Sequence, residues 1–154
     1  MHGIIIQLEE EPLESKEEYA SAMDFYEDFV GQVADYVSDD IDRDEEIKYF
    51  VEEMKKYGIS YDEKKQSIVF LEGFKERYFA ERFFKLKEVV KNLTLEEFAK
   101  DSSKAWGLTQ LIEKKYGTYV YNSDSSWMTF DDFVRDQLEE GKTYYIGGIV
   151  DYHF

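Results

Sequence analysis

Apolar positions near the start of the chain predict a strand and then a long helix. The Ile-Ile-Ile run within Gly3–Leu8, followed soon by Pro12, predicts a short buried strand. The segment Ser15–Val37 is predicted to form an amphipathic helix with one face in the core. At 100° per residue, its large side chains fall within about 60° of one direction; they are Tyr19, Met23, Tyr26, Val30, Val33 and Tyr36.

Caps, glycines and alternating apolar residues predict the remaining elements. Asp42 is an N-cap type of residue for a helix that ends before Gly58. The next elements are a hairpin of Ile59–Tyr61 and Ser67–Leu71, a helix over Phe74–Asn92, and a helical stretch that runs, with or without a break, from the Thr94–Glu97 capping box to Tyr116. The last elements are a strand over Thr118–Tyr121, a short helix from Thr129 to Leu138, and a strand pair or one bulged strand over Lys142–Phe154.

These elements mix without a regular βαβ alternation, and no linker-like stretch divides the 154 residues. The predicted fold is therefore a single α+β domain over residues 1–154, with helices packed on a small mixed or antiparallel sheet. A hydrophobic content of 43% with 18% aromatics is enough for a folded core despite the high charge.

Composition also limits the chemistry. The chain has no cysteine, which excludes disulfides and thiolate nucleophiles. It starts without the basic and apolar regions of a signal peptide, and no stretch reaches the ~20 apolar residues that span a bilayer. We therefore expect a soluble cytoplasmic protein.

Negative charge is concentrated in one segment, the acidic block of residues 9–46. It holds sixteen acidic residues and only two basic ones, so it carries −14 of the chain's net charge of −16. Part of this block is explained by acids at a helix start, where negative charge interacts favourably with the positive end of the helix dipole. The rest lacks the interleaved lysines and arginines that usually form i,i+4 pairs on a solvated helix face.

The spacing of acids on the predicted first helix resembles a phosphate backbone. Four acids would lie opposite its core face: Glu17, Asp24, Asp28 and Asp35. Along the helix axis, Asp24 and Asp28 would be about 6 Å apart, and Asp28 and Asp35 about 10 Å apart. Together with Asp39 and Asp40, they are the candidate partner-binding residues. The expected partner is a basic nucleic-acid-binding protein, whereas nucleic acid and membranes would be repelled.

No catalytic or metal-binding motif is convincing. Asp40-x-Asp42-x-Asp44 has the first spacings of an EF-hand loop, but Glu45 replaces its glycine and Val51 its bidentate glutamate. His2 and His153 are terminal and accompany no nucleophile motif. We therefore predict no catalytic residue, no metal and no cofactor.

The middle of the chain has the opposite charge. Residues 47–121 carry a net charge of +3, with many of the basic residues in the helix Phe74–Asn92. These lysines and arginines are expected to be solvated or to screen the acidic block. A second alternative is that they contact the acidic face of a second copy, which would make the protein a homodimer.

The last fifty or so residues resemble the C-terminal part of the ArdA-type antirestriction proteins. The resemblance is carried by a helix ending in Gly117, a short strand, the run Thr129-Phe130-Asp131-Asp132-Phe133-Val134-Arg135-Asp136, then Leu138, Gly141 and an aromatic strand containing Gly148-Ile149-Val150. It implies a small acidic DNA mimic, usually dimeric and carried by mobile elements, that occupies the DNA groove of restriction enzymes. By motif position it adds Asp131, Asp132 and Asp136 to the partner-binding residues.

The sequence therefore predicts a non-catalytic inhibitor that mimics DNA phosphates and blocks a nucleic-acid-binding enzyme. One alternative is an immunity-type protein that neutralises a basic toxin or nuclease by electrostatic steering. Another is a small-molecule enzyme, which a deep pocket with converging polar groups would favour.

Overall fold

The centre of the fold is a seven-stranded mixed sheet, seen in a computed structural model that describes residues 1–154. The strands are β1 His2–Glu9, β2 Tyr36–Ser38, β3 Ile59–Asp62, β4 Ser67–Phe70, β5 Tyr119–Asn122, β6 Ser126–Thr129 and β7 Thr143–His153. They run in the order β3-β4-β7-β1-β5-β6, and β2 also pairs with β7. Among the paired strands, only β1 and β5 are parallel.

Three of the helices begin at caps that the sequence predicts, namely Asp42, Thr94 and Thr129. Asp42 accepts a hydrogen bond from the backbone N–H of Glu45, and Thr94 and Glu97 form a capping box. None of the helices is long and apolar enough to cross a membrane. The helices are α1 Arg43–Lys55, α2 Phe74–Asn92, α3 Leu95–Lys100, α4 Ser102–Ile112 and α5 Phe130–Asp132, which a π-helical turn extends over Phe133–Gln137.

These bounds confirm the predicted α+β class, the hairpin, the helix over Phe74–Asn92 and a single bulged final strand. The helical stretch after Thr94 is broken at Asp101, which ends α3 and caps α4. Strand β6 was not predicted, because its residues follow a polar turn that resembles a loop.

Apolar side chains fill both faces of the sheet. Helices α1 and α5 and the start of α2 cover one face, where Ile6 and Leu8 of β1 lie in the larger core. Residues 20–37 cover the other face, where Phe25 and Phe29 are fully buried beside Ile5. The chain passes from one face to the other between Val37, in the second core, and Ile41, which packs against the first.

The long helix predicted over Ser15–Val37 is wrong. This segment contains two short 3₁₀ helices, Lys16–Glu18 and Ala22–Phe25, followed by turns and strand β2. Its predicted core face is wrong as well, since Met23, Tyr26 and Tyr36 are 76%, 51% and 47% exposed.

The buried side chain of Gln7 holds the backbone at Glu18 and Ala20 out of a helix. Its amide donates to the Glu18 carbonyl at 3.0 Å and accepts from the Ala20 N–H at 2.7 Å. The Gln7 oxygen also accepts from the Gly148 N–H at 2.8 Å. These bonds fix the backbone of Glu18 and Ala20 against the sheet, and satisfying a buried amide outweighs a weak helix propensity.

Glycines in β7 make this contact sterically feasible. A Cβ at Gly148 would clash with the Ala20 carbonyl oxygen, and one at Gly147 would clash with the Gln7 side chain. The register of β7 against β1 shifts at the same place, between the partners of Ile6 and Leu8. The bulge thus provides the space in which Gln7 holds the segment of residues 18–20.

Candidate functional site

The acidic block is almost entirely at the surface. Of its sixteen acids, fourteen are exposed, Glu46 is half-buried and Glu9 is buried. Glu9 is satisfied internally, because it accepts hydrogen bonds from Gln7 and from Ser123. Only Glu10 and Asp44 form ion pairs, with Lys142 and Arg43. The block therefore presents a concentration of carboxylates that the protein itself does not neutralise.

An aromatic layer supports the part of this surface around Asp24 and Asp28. The ring of Phe25 packs edge-on to Tyr121, with centroids 5.2 Å apart. The ring of Phe29 packs edge-on to Tyr152, with centroids 5.1 Å apart. Since Phe25 and Phe29 are fully buried, the acids that alternate with them lie on a well-packed base.

The six acids predicted from this block are exposed but differ in their contacts. Glu17, Asp28, Asp35 and Asp40 form no hydrogen bond or ion pair through their carboxylates. Asp24 accepts from the Ser21 N–H at 2.8 Å, and Asp39 accepts from the Ala22 N–H at 2.7 Å. These residues do not share one helix, so the helix geometry from which a spacing of about 6 to 10 Å was predicted for their carboxylates does not apply.

The three acids nominated near the C-terminus differ even more. Asp131 is 4% exposed, so its predicted place on the binding surface is wrong. Asp132 is exposed and pairs with Arg135 at 3.0 Å, and Asp136 is exposed in the π-helical turn. A match to a sequence motif does not show whether a residue is buried. Asp131 is buried because α5 packs beneath α2.

Asp131 lies at the floor of a cleft of about 600 Å³ between α2, α4 and the sheet. The Arg82 guanidinium donates to both of its oxygens, at 2.6 and 2.9 Å, and the Tyr78 hydroxyl donates at 2.7 Å. Burial, followed by the charge of Asp131, raises the pKa of Tyr78 well above its usual value. Tyr78 therefore keeps its proton as a donor to Asp131, and these three polar groups satisfy one another.

The acids with EF-hand-like spacing lie around the start of α1, and both histidines lie at strand ends. No group of three or more His, Asp or Glu side chains is placed to hold a metal ion. His2 lies in β1 at hydrogen-bonding distance from Asp151, and its ring packs edge-on to His153. Both histidines are thus strand-end residues that join β1 to β7.

A further surface, missed from the sequence, lies on α2. Phe83, Phe84 and Val90 are more than half exposed, and no residue of α2 after Phe74 is buried. The helical periodicity of the sequence could have revealed this surface. Phe79, Leu86 and Val89 form the side of α2 that faces the rest of the protein, and the three exposed residues lie outside that side. Helix α2 therefore has a second apolar face that the chain does not cover.

Comparisons leave the family open. No known family, curated protein or solved structure matches this chain. The similarity of its C-terminal part to ArdA-type proteins stays a prediction from sequence motifs.

Proposed function

We propose that this protein is a non-catalytic inhibitor whose exposed carboxylates occupy the basic groove of a nucleic-acid-binding enzyme. The observation that carries the proposal is the acidic block, with fourteen exposed acids and only two ion-paired ones. Concentrating charge of one sign costs self-repulsion, which is offset when a basic partner neutralises it. An antirestriction or similar anti-defence role fits such an activity.

The distribution of charge supports recognition by electrostatics. Carboxylates without internal partners keep their full field within a Debye length of about 8–10 Å. That field attracts a basic groove and accelerates association, as phosphates do. Residues 15–37 do not form one helix, so the mimicry we propose is of charge density rather than of a regular phosphate spacing.

Four acids are assigned the recognition role: Glu17, Asp28, Asp35 and Asp40. Their carboxylates form no hydrogen bond or ion pair within the protein. Asp24 and Asp39 add charge but also hold the backbone at Ser21 and Ala22. The four unpaired acids can therefore be changed to amides without removing a hydrogen bond or an ion pair.

The test is capture of partners from a bacterial lysate at low salt, followed by elution with non-specific duplex DNA. We expect release of a basic nucleic-acid-binding enzyme, and its loss when the bait carries Glu17→Gln, Asp28→Asn, Asp35→Asn and Asp40→Asn. The matched control removes four exposed, unpaired acids elsewhere: Glu63→Gln, Glu72→Gln, Glu88→Gln and Glu113→Gln.

Two outcomes would overturn the proposal. A partner that stays bound in excess duplex DNA would identify an immunity-type protein that covers one cognate active site. Recovery of no protein partner would favour a small-molecule enzyme that uses the cleft above Asp131.

A further inference from the structure

The uncovered face of α2 has the spacing of a helix-pairing seam. Glu76, Ala80, Phe83, Lys87 and Val90 are alternately four and three residues apart, which places them along one side of the helix. Phe84 and Lys91 lie at the edge of the same side. After the first turn this face carries no acid, and the Lys87 ammonium lies over the Phe83 ring, 5.4 Å from its centroid.

We infer that this face pairs α2 with α2 of a second copy, in an antiparallel arrangement about a twofold axis between Phe83 and Phe84. In such an arrangement, each position contacts the one equally far beyond the axis. Phe83 then meets Phe84 of the other copy, Ala80 meets Lys87, and Glu76 meets Lys91.

Each of these contacts is chemically favourable. The two phenylalanines already pack edge-on in one copy, with centroids 5.5 Å apart, and pairing would extend them into a cluster of four rings. Ala80 leaves room for the aliphatic stem of Lys87. Glu76 and Lys91 would form two symmetry-related ion pairs at the ends of the seam.

A parallel arrangement lacks this complementarity, because it places Lys87 and Lys91 opposite themselves. The charge pattern therefore selects antiparallel pairing of two copies. The seam lies outside residues 9–46, so pairing would leave the acidic block of each copy free. A single helix face about 20 Å long buries less than the ~1,200 Å² of a stable complex, so a weak, concentration-dependent dimer is expected.

Sedimentation from about 1 μM to 1 mM protein measures this association. We expect a dimer whose dissociation constant rises at least tenfold with Phe84→Glu. Lys91→Glu and Glu76→Lys should each weaken the dimer, and combining them should restore it. A combined variant no better than the two single ones would contradict the register.

Cysteine cross-linking gives a second test, because the chain has no cysteine of its own. The double variant Ala80→Cys with Lys87→Cys should form intermolecular disulfides, since the two positions of one helix are about 10 Å apart and cannot bridge to each other. Either single variant should remain uncrosslinked, because its two copies also lie about 10 Å apart.

Cross-linking of a single variant would overturn antiparallel pairing. A protein that stays monomeric up to about 1 mM, with no cross-link in the double variant, would overturn the dimer itself. A monomer that sediments with phosphatidylserine vesicles through Phe84 would assign the face to a lipid surface instead.

Discussion

The Arg82 guanidinium donates two hydrogen bonds to the Asp131 carboxylate, at 2.6 and 2.9 Å, and so joins α2 to α5. The side chains of this pair are 16% and 5% exposed. Removing one partner of a buried ion pair leaves an unpaired charge, whereas an exposed pair is worth little. This contact is therefore expected to stabilise the position of α2.

Replacing Arg82 by Ala should lower the free energy of unfolding by about 3 kcal/mol. The control is Arg135→Ala, which removes a similar ion pair with Asp132 at a more exposed position and should cost no more than about 1 kcal/mol. Urea denaturation of both variants gives the comparison. Equal losses would show that the Arg82–Asp131 pair adds nothing through its burial.

The second core can be tested with two neighbouring aromatic residues. Phe29 is fully buried and Tyr26 is 51% exposed. Phe29→Ala should cost about 3–5 kcal/mol through lost burial and a cavity, whereas Tyr26→Ala should change stability by about 0.5 kcal/mol or less. Thermal unfolding that ranks the two variants in the opposite order would restore the helix phase predicted from the sequence.

Two glycines should respond in opposite ways to alanine. At Gly148 a Cβ would clash with the backbone oxygen of Ala20, and we expect a loss of about 3 kcal/mol. At Gly107, within α4, a Cβ would meet open space, and alanine should stabilise by about 0.5–1 kcal/mol. Chemical denaturation measures both. A neutral Gly148→Ala would mean that residues 18–20 are not held against the bulge.

Local signals in the sequence explain most of the fold. Asp42 and the Thr94–Glu97 pair mark helix starts through their own side chains, so α1 and α3 were predictable. The break in the helix predicted over residues 15–37 was not, because Glu18 and Ala20 are bound by Gln7, which also binds the distant Gly148. A periodic pattern contains no information on such a tertiary hydrogen bond.

The sequence predicted the net charge of the candidate site but not the contacts of its individual acids. The excess of acids in residues 9–46 follows directly from the sequence, and fourteen of them are exposed. Which acids are unpaired depends on contacts such as those of Asp24 and Asp39 with backbone N–H groups. The burial of Asp131 was hidden for the same reason, since its partner Arg82 is 49 residues away.

Glu46 should make stability depend on pH. Burial, followed by the charges of Glu45, Asp151 and Asp42, raises its pKa in the folded protein above the ordinary value of 4.5. Its ionisation therefore opposes folding at neutral pH, and this cost disappears as the pH falls toward 4.5.

Glu46→Gln is accordingly expected to raise the free energy of unfolding at pH 7, with an advantage over the unsubstituted protein that shrinks on acidification. Urea denaturation across this pH range measures the difference. Glu53→Gln, an exposed position on the same helix, is the control. A gain from Glu46→Gln that grows as the pH falls would contradict the sign of this effect.

The rate at which the protein associates with the DNA-displaceable enzyme tests the central claim most directly. The account predicts that association slows as salt is added, and that Glu17→Gln, Asp28→Asn, Asp35→Asn and Asp40→Asn together slow it about tenfold or more. Stability should stay within about 0.5 kcal/mol. An equal slowing by the control set Glu63→Gln, Glu72→Gln, Glu88→Gln and Glu113→Gln, or a rate unaffected by salt, would contradict recognition through the acidic block.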